Sequence, residues 1–146
     1  MTMQKYSNGE LVNLTPEEEV EHLAQVEISF DLLRATKNLE INAARAAANL
    51  STFPHAGWRF ACDALSRSDI DGVANHVALF GAFPKGFLGG WKAVDNTMMP
   101  MPDVDAFRAM YASMTAQGAE NFMHSQNLKA QLENASTAEE IAAITW

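Results

Sequence analysis

The first hydrophobic–polar alternation, in "QKYSNGELVN", runs to either side of Asn8-Gly9, a strong two-residue turn signal, and predicts a short hairpin or extended arm at residues 3–14. Thr15-Pro16-Glu17-Glu18 then combines an N-cap hydroxyl, a proline at the first helical position and a glutamate three residues after the cap, which predicts a helix start. From there to Leu50 the chain has no Gly or Pro, so one long helix, or two with a bend, is expected over residues 17–50. At about 3.6 residues per turn, Val20, Leu23, Val26, Phe30, Leu33 and Ile41 fall near one side of it. Ile28, Leu32, Ala35, Leu39 and Ala46 fall near another. Two apolar stripes need two sets of partners. A single domain covers one of them, and the second invites another subunit or a partner protein, with Phe30, Leu32 and Leu39 as contact residues. The alternative is a helix buried centrally in its own domain. "INAARAAANL" permits close helix approach on either reading, and the absence of strict heptads argues against a long coiled coil.

After Leu50 the period changes. "STFPHAGWRFACD" alternates Trp58, Phe60 and Cys62 against Arg59, Ala61 and Asp63, reading as a hairpin with a strand at 58–62. Ser66 with Asp69 predicts a cap for a helix over 67–80. "GAFPKGFLGG" reads as a loop, and Trp91–Met99 as a strand that pairs with 58–62 and is closed by Pro100 and Pro102. Asp103 caps a helix over 103–133 in which Gly118 is a weak point, and Ser136 with Glu139 opens a last helix ending near Trp146. The expected fold is α+β, mostly α: a long N-terminal helix, a small antiparallel sheet from about 53–62 and 91–99, and two C-terminal helices. Its expected organisation is an arm at 1–16, the long helix at 17–50 and a compact α+β domain at 51–146.

Composition narrows the function. The chain has 146 residues, 48% of them hydrophobic, enough for one domain with its own core. Eighteen acids against 10 bases give a net charge of −8, which opposes a nucleic-acid groove and suits a basic partner surface. Cys62 is the only cysteine, so neither an intramolecular disulfide nor a multi-cysteine metal site is expected, and on the apolar side of a strand it reads as an inert thiol. No apolar run approaches a membrane span, and "MTMQKYSNGE" has no signal-peptide core, so a soluble chain made in the cytoplasm is expected. His22, His55, His76 and His124 lie on different elements without metal-ligand spacing. The glycine-rich loop lacks the order of a phosphate-binding loop. With no nucleophile, base and orienter in view, neither an enzyme nor a cofactor is expected. Asp63, Ser66, Arg67, Asp95 and Asn96 sit at strand ends or turns, where short polar side chains bond nearby backbone; the competing reading is a small polar site between two strands. Met98, Met99 and Met101 read as core filling before they read as a binding surface.

"FPHAGWRFACDALSR", "WKAVDN" and "LKAQLENASTAEEIAAITW" together resemble an uncharacterised domain family encoded by tailed phages and prophages beside or within tail-fibre genes. The resemblance covers about residues 38–146, with Phe53, Gly57, Phe60, Asp63, Ser66, Arg67, Trp91, Asp95 and Asn96 at the family's motif positions. The opening "MQKYSNGELVNLTPEEE" is similar to the lead-in of small proteins encoded after phage fibre genes. What this implies is a context: a tail-fibre-associated protein, either virion tail component or fibre-assembly chaperone. It would meet a tail fibre or other tail protein, as a homo-oligomer (dimer or trimer), in the host cytoplasm during assembly or in the virion tail. The alternative is a small phage-encoded inhibitor of a host defence or host enzyme.

Overall fold

The computed structural model describes residues 3–7 and 9–146. Asn8, half of the predicted turn, lies outside the described residues; on either side of it β1 (Gln4–Ser7) and β2 (Glu10–Asn13) pair antiparallel, with Ser7 opposite Glu10. The capping box of α1 (Pro16–Asn49) forms as the sequence predicts. Thr15 Oγ accepts from the Glu18 N–H at 3.3 Å, and the Glu18 carboxylate accepts from the Thr15 N–H at 3.0 Å. Lys5 pairs with Glu18, and the Met3 N–H donates to Glu19 at 3.3 Å, so the hairpin is tied to the first turn of the helix.

β3 (Thr52–His55) and β4 (Trp58–Ala61) form the second hairpin, with Phe53 opposite Phe60. Ala56 and Gly57 both have positive φ, 49° and 82°, the backbone of a two-residue hairpin turn. The Cys62 N–H donates to Ser51 O at 2.9 Å. That parity places Pro54 and Arg59 at a non-hydrogen-bonded pair, where the missing proline N–H costs nothing.

The segment 91–99 corrects the expected pairing. It is not one strand against 58–62 but a hairpin of its own, β5 (Gly90–Lys92) with β6 (Met98–Pro100), Trp91 facing Met99. Asp95 accepts from the Thr97 N–H at 3.0 Å, Asn96 takes φ 66°, and the Ala93 N–H donates to Thr97 O at 2.8 Å, so the chain reverses in mid-segment. The turn still touches β4, through the Val94 N–H donating to Arg59 O at 2.9 Å.

Two helix starts also differ. α2 (Ala64–Phe80) is capped by Asp63, not Ser66. In α4 (Ala138–Ala143) the box is Thr137 with Glu140, not Ser136 with Glu139; both frames satisfy the spacing rule, and the one used sets its hydroxyl directly before the first turn. Asp103 caps α3 (Val104–Asn134) as predicted, accepting from the Ala106 N–H at 2.9 Å. The fold is thus mostly helical, with two helices at the C-terminal end and small two-stranded antiparallel pieces.

α3 is the spine of two cores. Around its first half, Phe107, Met110 and Met114 meet Phe53, Phe60, Cys62, Ile70, Ala93, Met99 and Met101 from the hairpins and α2. Around its second half, Leu128 and Leu132 meet Ile41 of α1, Ile141 of α4 and Ile144. α1 and α3 run antiparallel and staggered: Asn121 donates to Asn49 at 2.9 Å, and Arg34 donates to Ala135 O at 2.8 Å. The stagger carries residues 16–29 of α1 past the C-terminal end of α3, and the compact body begins inside α1 near Phe30. Gly118 does not interrupt α3, and a Cβ there would meet no atom within 4 Å. Gly118→Ala is therefore expected to stabilise by about 1 kcal/mol, measured by urea unfolding, through lost chain entropy in the unfolded state.

Candidate functional site

The motif residues divide among several environments. Phe53 and Phe60 are fully packed in the first core, rings 5.5 Å apart, and Gly57 supplies the β3–β4 turn. Asp63 caps α2: its carboxylate accepts from the Leu65 and Ser66 N–H groups, each at 3.1 Å, and from Ser66 Oγ at 2.7 Å. Arg67 turns inward, its Nη1 4.0 Å from Cys62 Sγ. Asp95 holds the β5–β6 turn through Thr97.

Ser66, Trp91 and Asn96 are brought together in a cleft of about 750 Å³ between α2, β5 and the loop before it. Asp69, Lys92, Phe87 and Leu88 also line it; sequence reading took Asp69 only for a capping partner and passed over the other three, although the apolar residues inside "GAFPKGFLGG" were the available signal. The cleft offers a hydroxyl, a carboxylate, an ammonium and an amide beside an indole. Its hydroxyl is committed to Asp63, whose carboxyl is held below the usual range first by that Ser66 hydroxyl and then by backbone N–H groups, so it is a poor base.

Other reactive groups are similarly engaged. His55 Nδ1 lies 2.8 Å from Ser113 Oγ, a pairing invisible in sequence, and the same hydroxyl lies 3.2 Å from Ala109 O, so both groups are held in local hydrogen bonds. Burial pushes the Cys62 thiol up, with Arg67 opposing it, and burial followed by the Asp71 charge raises the Tyr111 phenol. Among the described residues no group of three His, Cys, Asp or Glu side chains could hold a metal ion, and no helix is long and apolar enough to cross a membrane.

Asp63 and Asp95 carry a pH signature. The Thr97 hydroxyl, then its N–H, holds the Asp95 carboxyl below its usual value, as Ser66 does for Asp63. Because both values are depressed on folding, the unfolded chain binds more protons in acid. The stability they contribute is complete above about pH 4 and is lost as pH falls through the lower folded-state values. The double variant Asp63→Asn/Asp95→Asn is expected to melt lower at neutral pH yet lose less between about pH 4 and 2. Calorimetry across that window checks it; a parallel loss in both proteins counts against the assignment.

An apolar surface that neither core covers runs along α1. Leu32 is 66% exposed, Leu39 68% and Ile28 62%. They lie opposite the side that carries Arg34, Lys37 and Ile41 toward α3 and α4. Phe30 differs from the expected contact set: it falls on the inner side, packs on the second core and lies under the Arg34 guanidinium at 4.5 Å. In the overhanging part, Val20, Leu23 and Val26 are more than half exposed, and every residue from Val20 to Ser29 is open to solvent. The second stripe is uncovered, and so is the outer end of the first.

A family model described as a domain of unknown function, DUF4376, matches residues 32–145, well over half of the chain. The chain belongs to the DUF4376 family. Neither the curated proteins nor the solved structures gave a match to it. The DUF4376 match begins where α1 enters the compact body, so the overhang and the β1–β2 hairpin stand outside the family domain. Trp91, Asp95 and Asn96 of the DUF4376 domain form one corner: Trp91 packs at 5.7 Å from Phe107 while Asp95 and Asn96 shape the turn above it.

Proposed function

We propose that the chain is a phage tail-fibre-associated protein, a virion tail component or fibre-assembly chaperone, that works by protein–protein contact through α1. The observation that carries this reading is the uncovered apolar row Ile28, Leu32 and Leu39 on a helix whose other side already packs on its own domain. A row of this kind stays soluble when another protein covers it, and Ala35 and Ala46 along it allow close approach of that partner. The phage setting is supported by the sequence resemblance in "FPHAGWRFACDALSR" and "WKAVDN". The commitment of Asp63, Ser66 and Ser113 to local hydrogen bonds supports contact over catalysis. The test is mass spectrometry of purified virions and of free tail fibres from lysates of a phage encoding the chain. Recovery with virions favours a tail component, and recovery with free fibres alone favours a chaperone. Absence from both overturns the proposal, and recovery with a host enzyme instead selects the inhibitor reading.

A further inference from the structure

Residues 16–33 of α1 carry Glu17, Glu18, Glu19, Glu21, Glu27 and Asp31 and no lysine or arginine. In this stretch Val20, Leu23, Val26, Phe30 and Leu33 share the side that α3 and α4 cover only from Phe30 onward. α3 stops at Asn134, and before Phe30 no α1 residue joins the second core, so Val20, Leu23 and Val26 stay open to solvent. The exposed seam Val20–Leu23–Val26 is bordered by Glu19, Glu27 and Asp31, while Glu17 and Glu21 lie beside Ile28 on the far side.

We infer that this overhang receives an amphipathic helix of another protein whose apolar seam is flanked by lysine or arginine, seated on Leu23 and Val26 in line with α3. The inference rests on the contact function proposed above and names the chemistry of the partner. Charge decides the occupant. A second copy of α1, parallel or antiparallel, sets these acids against the same acids with no lysine or arginine between Pro16 and Leu33 to offset them, whereas basic flanks meet the acids beside the seam. The start of the family match at residue 32 agrees, since the overhang lies outside the shared domain, where partner-specific surface belongs. The Lys5–Glu18 pair and the Met3–Glu19 bond hold the β1–β2 hairpin at the outer end, closing the seam's far limit.

The probe is a synthetic peptide of about 20 residues, long enough to span the overhang, with Leu and Ile at seam positions and Lys at the flanks, and a twin with Glu at the flanks. Binding to the full chain is followed by fluorescence anisotropy. The Lys peptide is expected to bind about tenfold or more tightly at about 0.05 M than at about 0.5 M salt, and the Glu twin not at all. Leu23→Ser/Val26→Ser and, separately, Glu19→Gln/Glu27→Gln/Asp31→Asn are each expected to weaken it about tenfold, while Leu79→Ser/Phe80→Ser, on the exposed side of α2, leaves it unchanged. No binding of the Lys peptide, or equal binding by the Leu23/Val26 variant, overturns the inference. So does a dimer or trimer of the chain alone in sedimentation equilibrium that Leu23→Ser/Val26→Ser dissolves, since the seam is then taken by a second copy. Absence from virions and fibres with the peptide results intact would fault the tail-fibre setting and leave the partner chemistry standing.

Discussion

Phe107→Ala is expected to lower the melting temperature by on the order of 10 °C, the loss of about 3–5 kcal/mol that follows truncation of a fully buried aromatic in a domain of this size. Phe107 is 1% exposed and sits at the junction of the first core. Phe83 meets it edge-on at 6.2 Å, Trp91 at 5.7 Å and Tyr111 at 6.5 Å. Phe83 in turn stacks on Phe87 at 4.0 Å, so this one ring anchors the loop before β5 as well as the β5–β6 hairpin. The variant should therefore lose order in that loop along with stability. Amide hydrogen exchange at residues 83–91 reads the first effect and calorimetry the second. Phe80→Ala, at a ring that is 69% exposed on α2, is the comparison and should stay within about 0.5 kcal/mol of the unaltered chain. Equal losses in the two variants would mean that the core is elsewhere.

The second large effect is on association and not on folding. Leu32→Glu/Leu39→Glu places two carboxylates on the outer row of α1, where neither side chain touches either core. The melting temperature should stay within a few degrees, because exposed substitutions on a helix cost little. Association with the partner proposed for α1 should weaken by roughly 30-fold or more, the loss of about 2 kcal/mol typical of a central apolar contact, with a buried charge adding to it. Phe30→Glu is the instructive contrast. Because Phe30 packs on the second core, it should lose stability together with binding, so it reports on the fold and not on the surface.

What the sequence made legible follows the range of the interactions involved. The α1 capping box, the Asp103 cap, the long helices and the mostly helical α+β class rest on spacing within a few residues, and they stand where "TPEE" and the apolar periodicity predict. Pairing of 58–62 with 91–99 was misread because both segments alternate, and alternation does not name a partner. The decisive signal was local: Asp-Asn at 95–96 is a turn dipeptide, and the strand reading ran through it. The two apolar stripes of α1 were legible, but not which was inner. That depends on the stagger set by Asn49–Asn121 and Arg34–Ala135, contacts between residues 72 and 101 apart in sequence. For the same reason Phe30 was grouped with Leu32 and Leu39, although it packs on the second core. The cleft lined by Ser66, Trp91 and Asn96 joins three segments that no spacing rule connects, and neither the capping pattern that singled out Asp69 nor the motif around Lys92 points to a shared wall.

The measurement that bears most directly on a contact function for α1 is site-specific photo-crosslinking in phage-infected cells. A photoreactive residue is placed at Leu32 or Leu39 on the outer row and, as a control, at Leu79, which is 77% exposed on α2. The account predicts a crosslink from both α1 positions to a tail-fibre or other tail protein, lost in the Leu32→Glu or Leu39→Glu partner background, and none from Leu79. Crosslinks from Leu79 as strong as those from α1, or none from either α1 position while the chain accumulates normally, would contradict it.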